Sequence, residues 1–158
     1  MPASQERPLT TTLIDEEGSP EPVRCVAVID QALPIGHAAN AAAVMALTMG
    51  KQQPQLVGDA LVDAGGNVHP GLIPTGIAVL GAPAADLALL REKALQARLQ
   101  VVDFPAYGQQ TTDYAAFQRM MRAAAPAQIL YLGLMLYGPR KKIARLVGKY
   151  GLLKPRAG

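Results

Sequence analysis

Cysteine and tryptophan are scarce in this chain of 158 residues, which has one cysteine, Cys25, and no tryptophan. A single cysteine excludes an intramolecular disulfide and argues against a cysteine-based zinc site. Cys25 lies in the apolar run 23–29, which favours a buried thiol with a packing role. Because the sequence shows no disulfide framework and no export signal, we predict a cytoplasmic location.

Long apolar runs and aromatic side chains are also few. No run reaches the roughly 18 apolar residues of a membrane-spanning helix, so we expect no membrane partner. With two phenylalanines and no tryptophan, the chain offers little for stacking on RNA bases. The glycine spacings of nucleotide-binding loops are missing, and the two histidines are far apart, so the sequence indicates neither a cofactor nor a metal.

Acidic residues are missing from the C-terminal segment. Residues 139–156 hold seven basic side chains and no acidic one, whereas residues 1–22 hold five carboxylates and a single arginine. The net charge of +3 therefore hides a strong asymmetry between the two ends. We interpret residues 1–21 as a flexible acidic tail and residues 22–155 as a single α/β domain.

Apolar runs and turn residues alternate along the predicted domain. The predicted strands are 23–29, 60–62, 67–69, 76–80, 99–103 and 129–137, and the predicted helices are 37–49, 83–98, 113–124 and the segment after Pro139. A turn at Gly65–Gly66 predicts a hairpin and therefore a mixed sheet. Strands that alternate with helices predict an α/β fold, a three-layer α/β/α sandwich with the sheet between helices.

Three consecutive cations begin the last predicted helix. Arg140, Lys141 and Lys142 follow Pro139, where unpaired backbone N–H groups already create a positive potential. Cations at such a position are disfavoured by about 0.3–1 kcal/mol each. A bound phosphate or carboxylate would relieve that cost, which makes these residues candidate anion ligands. The alternative is a solvated basic face that aids solubility.

Two further clusters of candidate site residues follow predicted strands. Gly36, His37 and Asn40 open the first helix after a strand–loop turn, a common place for ligands in α/β proteins. His37 is a candidate acid, base or anion ligand, and an exposed histidine without a role is the alternative. Asp103 ends a strand, with Thr111 in the polar loop that follows. Its carboxylate could orient a water molecule or cap the loop.

An uncharacterised family, domain of unknown function 2000, resembles this chain over about residues 22–155. The similarity is carried by the opening run VRCVAVIDQALPIGHAANAAAVMALTMGK, the middle run GLIPTGIAVLGAPAADLALLREKALQARLQVVDF and the closing run ILYLGLMLYGPRKKIARLVGKYGLLK. That family looks like a distant relative of the type-two peptidyl-tRNA hydrolases, which cleave the ester between a peptide and its tRNA. The resemblance implies their α/β/α fold with a mixed sheet.

The hydrolase motifs are matched in part. Gly36 matches the glycine that opens the first helix of the hydrolases, but His37 stands where they carry lysine. Asn40 falls one residue before the expected glutamine. Asp103 matches the aspartate of an Asp-Ala-Gly motif whose last two residues are replaced here, and Thr111 matches the threonine after it loosely.

Two functions are compatible with these residues. The first is a binding module for an anionic or phosphate ligand, or for RNA, that uses Gly36, Asn40 and the cations 140–142. The second is an esterase that acts on an RNA-linked substrate such as peptidyl-tRNA, with His37, Asp103 and Thr111 as catalytic residues. Because apolar faces of small α/β domains often pair, we also expect a homo-oligomer, namely a dimer.

Overall fold

A computed structural model describes residue 18 and residues 20–155, so that most of the predicted acidic tail lies outside the described residues. Within them, strands and helices alternate along the chain. The strands are β1 (Val23–Asp30), β2 (Leu61–Val62), β3 (Val68–His69), β4 (Ala78–Ala82), β5 (Gln100–Pro105) and β6 (Tyr131–Pro139), and the helices are α1 (Ile35–Gln52), α2 (Ala84–Gln96), α3 (Tyr114–Ala123) and α4 (Arg140–Val147).

Four of the strands form one mixed sheet in the order β4–β1–β6–β5. β4 is parallel to β1, whereas β6 is antiparallel to both β1 and β5. The register places Val23 opposite Pro139 and Ile29 opposite Gly133. β6 therefore begins at the end of the sheet where β1 stops. The predicted α/β class with a mixed sheet is confirmed.

Helices lie on both faces of this sheet. On one face Leu87 of α2 and Ile143 of α4 join a buried cluster with Leu134 of β6. On the other face Met45 of α1 joins a second cluster with Phe104 of β5. Each cluster removes apolar surface from water, at about 25 cal/mol per Å². The sheet is consequently buried between two helical layers.

Cys25 lies in the cluster under α1 and is buried. Burial raises the pKa of its thiol to about 11. Because a thiol is reactive only as the thiolate, this cysteine is an inert apolar side chain. The packing role predicted for it is confirmed.

Helix α1 is longer than predicted. It begins before His37 and continues through Gly50 to Gln52, whereas the sequence pattern placed its end at Gly50. Glycine costs a helix roughly 1 kcal/mol relative to alanine. The backbone N–H of Gln53 nevertheless donates to the carbonyl of Met49 at 2.8 Å, and the buried Leu56 just beyond holds the end of the helix against the core.

The hairpin of β2 and β3 turns at the predicted glycine pair but lies outside the main sheet. The main sheet is therefore mixed because of the antiparallel β6, and not because of the hairpin from which the mixed sheet was predicted. Gly66 has a φ of +83°, a conformation that glycine adopts without strain. The Asp63 carboxylate accepts hydrogen bonds from the backbone N–H groups of Gly65 and Asn67, at 2.8 and 3.0 Å. It also lies 3.1 Å from Nε2 of His69. Hydrogen bonds, first that from the Asn67 side chain, lower the pKa of Asp63 to about 2.

This hairpin turn is expected to loosen in acid. Since the pKa of Asp63 lies below its usual value of 3.8, the ionised carboxylate stabilises the turn above that pH, and the stabilisation is lost as the pH falls through about 2. The amide signals of Gly65 and Asn67 in an NMR pH titration should report this low midpoint, and Asp63→Asn should abolish the transition. Asp59→Asn is the control. A midpoint near 3.8 would contradict the hydrogen-bond network.

Candidate functional site

Helix α1 starts at the end of the sheet where β1 stops. Pro34 precedes it with extended backbone, and no side chain caps its first backbone N–H groups. Ala38 is buried against the sheet, which fixes the first turn in place. Gly36, His37 and Asn40 of the first two turns remain exposed. The start of α1 therefore presents hydrogen-bond donors and a histidine to solvent.

A cleft of about 720 Å³, which we call the polar cleft, separates this helix start from the loop after β5. It is lined by His37 and Asn40 from α1 and by residues 108–112 from the loop. The Thr111 hydroxyl accepts a hydrogen bond from the backbone N–H of Asp113 at 3.0 Å, which holds the loop just before α3. The structure thus brings together His37, Asn40 and Thr111.

Gly108 allows the loop to approach the core closely. A Cβ atom on this residue would lie 2.5 Å from Cε2 of Phe104 and 3.3 Å from Cζ of Phe117. Real Cβ atoms do not come as close as the first of these distances. Glycine therefore permits the short 3₁₀ turn Ala106–Gln109 to pack against both rings and to form one wall of the polar cleft.

A second cavity of about 530 Å³, which we call the apolar groove, lies further along α1. Val44 and Thr48 line the groove, and they follow Asn40 of the polar cleft at intervals of four residues. Residues spaced in this way lie on one side of a helix, so the groove and the cleft share one side of α1. β5 forms the floor, and α3 forms the opposite wall. The groove is lined by Val44, Met45, Thr48, Val102, Asp103, Phe104, Pro105, Tyr114, Phe117, Gln118, Met121 and Arg122.

Asp103 directs its carboxylate to the opposite face of β5. Its neighbours Val102 and Phe104 belong to the cluster under α1, and successive side chains of a strand alternate between faces. Oδ2 of Asp103 accepts a hydrogen bond from Nε of Arg91 at 2.6 Å. This bond raises the pKa of Arg91, whose guanidinium lies 5.5 Å from the ring centre of Tyr131. The structure places the carboxylate in an ion pair, away from the polar cleft.

The three cations of α4 lie at the other end of the sheet. The backbone N–H of Arg140 donates to the carbonyl of Pro22 at 2.8 Å, beside the first residue of β1, whereas the polar cleft follows its last residue. The length of β1 separates them by roughly 20 Å. Nζ of Lys142 donates to the carbonyl of Ala97 at 3.1 Å, at the C-terminal end of α2. Arg140 and Lys141 are exposed.

Lys142 therefore has a partner within the fold. A helix C-terminus carries partial negative charge, which a lysine ammonium stabilises. The unfavourable interaction of this ammonium group with the N-terminus of α4 is offset by its favourable interaction with the C-terminus of α2. The sequence pattern predicts both helix ends, but it does not show that they lie side by side.

Among residue 18 and residues 20–155, no cluster of three or more histidine, cysteine, aspartate or glutamate side chains could hold a metal ion. Over the same residues, none of the helices combines the length and the apolar character that crossing a bilayer demands.

Sequence reasoning missed the apolar groove and the residues of α3 that line it. One signal was available, because Phe117, Met120 and Met121 recur at helical spacing and form an apolar side of α3. Such a stripe is typical of a helix that packs on a core. In the structure α3 has no buried residue, so its apolar side borders a cavity instead.

Comparisons with known proteins identify the family. The family described as "Protein of unknown function (DUF2000)" matches residues 23–154. None of the curated proteins matches the chain. A solved structure of a protein of unknown function from Agrobacterium tumefaciens strain C58 is similar, with a TM-score of 0.75 and 18% identity over 82% of this chain and 96% of that one. At this identity the likeness shows a shared fold alone.

The relation to the type-two peptidyl-tRNA hydrolases stays a prediction, as do the roles of the candidate site residues. The family itself was predicted from the three quoted runs, and the match to residues 23–154 confirms it. The chain belongs to the DUF2000 family of proteins of unknown function.

Proposed function

We propose that this protein is a non-catalytic binding module that holds the anionic group of a small ligand in the polar cleft. The observation that carries the proposal is the shared cleft of His37, Asn40 and Thr111, which come from two separate elements. The side chains that line this cleft include an imidazole, amides and hydroxyls, and no carboxylate. The uncapped N–H groups at the start of α1 add donors and a positive potential.

A binding role is favoured over hydrolysis by the position of Asp103. A carboxylate that activates water must reach the reacting ester directly or through one water molecule. Asp103 instead accepts a hydrogen bond from Arg91 on the other face of β5. Hydrolysis of an RNA-linked ester such as peptidyl-tRNA is the alternative, and it would need a different water-activating group.

A small anion is a better ligand for this cleft than RNA. The cations at residues 140–142 would have to contribute to RNA binding, because phosphate contacts by lysine and arginine dominate such affinity. They lie at the opposite end of the sheet, and Lys142 is engaged with Ala97. The cytoplasmic location and the dimer stay predictions on which this proposal does not depend.

Inorganic phosphate is expected to bind in the polar cleft, and the two histidines of the chain offer a matched pair of variants. His37→Ala should weaken phosphate binding by about tenfold, the effect of one lost charge-assisted hydrogen bond of about 1.4 kcal/mol. His69→Ala should leave the affinity unchanged, because His69 lies on the exposed hairpin. Isothermal titration calorimetry in one and the same buffer measures both affinities.

Two results would contradict the proposal. Equal phosphate affinities for His37→Ala and the unaltered protein would show that His37 is not a ligand. Release of the peptide from peptidyl-tRNA by the purified protein, abolished by His37→Ala, would show that the hydrolase alternative is correct.

A further inference from the structure

The apolar groove has the size and the walls of a small-molecule site. Phe104 of β5 is buried in its floor and Met45 of α1 is buried in one wall, and Phe117 and Met121 of α3 form the opposite wall. Its volume of about 530 Å³ lies within the usual range of ligand pockets, roughly 300–1,000 Å³. An apolar chain placed there would contact these buried and half-buried side chains.

Helix α3 borders the groove with no fully buried residue, and its apolar side chains Phe117, Met120 and Met121 are only half-buried. Its first turn is capped by Asp113, whose Oδ1 accepts a hydrogen bond from the backbone N–H of Ala115 at 3.0 Å. The rings of Tyr114 and Phe117 meet edge to face at 5.9 Å. A helix of ten residues is too short to be stable alone, since isolated helices need roughly 12–15 residues. An apolar occupant of the groove would supply the burial that α3 lacks.

Arg122 gives the groove its positive charge. It lines the groove from the last turn of α3, and among the described residues it forms no ion pair. Asp103 is also part of the lining, but its carboxylate lies on the other face of β5, paired with Arg91, and does not neutralise Arg122. Apolar walls with one cation at the rim are complementary to a molecule with an apolar body and one negative charge.

We infer that the apolar groove binds a small monocarboxylate with an apolar body, such as a medium-chain fatty acid. The hydrocarbon chain lies between α1 and α3, and the carboxylate meets Arg122. This site goes beyond the proposed function, because it uses different residues from those of the polar cleft and does not require an anion there.

Decanoate, kept below its micelle concentration, is the probe for isothermal titration calorimetry. Arg122→Gln should weaken its binding by about threefold, the usual size of a partly exposed ion pair. Arg119→Gln is the matched control, because Arg119 belongs to the same helix and does not line the groove. Val44→Asp places a carboxylate in the apolar wall and should weaken binding by more than about tenfold. Val44 is 43% exposed, so the fold tolerates this change.

The inference is overturned if decanoate does not bind, or if Arg119→Gln weakens its binding as much as Arg122→Gln. It is also overturned if Val44→Asp leaves the affinity unchanged. Sedimentation that shows a dimer dissociated by Val44→Asp would mean that a second copy of the chain covers the groove. Phosphate binding to the polar cleft is measured separately with His37→Ala. If phosphate does not bind there, the proposed function is wrong but this inference still stands.

Discussion

Leu134→Ala is expected to lower the free energy of unfolding by about 2–5 kcal/mol, the range for a fully buried leucine. Leu134 is completely buried in β6, which is central in the sheet and pairs with both β1 and β5. Its side chain lies in the cluster beneath α2 and α4. Truncation would therefore leave a cavity between the sheet and two helices, at a point where the surrounding strands cannot move inward.

Leu130→Ala is the matched control for this change. Leu130 directly precedes β6, but 72% of its surface is exposed, so its loss should alter the free energy of unfolding by no more than about 0.5 kcal/mol. Urea denaturation of both variants measures the difference. Similar stabilities for the two alanine variants would contradict the burial of β6 between two helical layers.

Gly108→Ala is expected to damage both the stability and the polar cleft. The added Cβ would lie 2.5 Å from Cε2 of Phe104, a ring that is buried and cannot move away freely. Overpacking of this kind costs about 1–3 kcal/mol. The strain is relieved if the 3₁₀ turn moves away from the core, which also moves Thr111 relative to His37. We expect phosphate affinity to fall by about tenfold, equivalent to one lost hydrogen bond to a charged group.

Two further variants separate the steric effect from a general effect of alanine. Gly50→Ala meets no atom within 4 Å and should raise the free energy of unfolding by about 0.5–1 kcal/mol, because it lies inside α1. Phe104→Leu removes the ring atoms that the new Cβ would meet. In that background Gly108→Ala should cost clearly less, which a double-mutant cycle measures. An equal cost in both backgrounds would show that the contact with Phe104 is not the cause.

The strands and helices could largely be predicted because their signals are local. The continuous apolar run 23–29 is typical of a strand buried on both faces, and the glycine pair 65–66 is typical of a hairpin turn. The predicted end of α1 was wrong for a physical reason. Leu56, just beyond the helix, is buried in the cluster under α1, and this long-range packing outweighs the local effect of Gly50.

The site could be predicted only in part, because its geometry depends on strand order and register. His37 and Asn40 share a helix, but their proximity to Thr111 results from the position of the loop after β5. The pairing of Val23 with Pro139 places α4 at the opposite end of the sheet, which no local pattern reveals. Asp103 alternates with apolar neighbours, yet its partner Arg91 becomes known only when α2 is placed on that face.

The position of the anion site is tested most directly by an NMR chemical-shift map of the protein during titration with inorganic phosphate. We expect the largest amide shifts at His37 and Asn40 and in residues 108–112, which line the polar cleft. Shifts confined to residues 140–142, with no change at the start of α1, would contradict the proposed site.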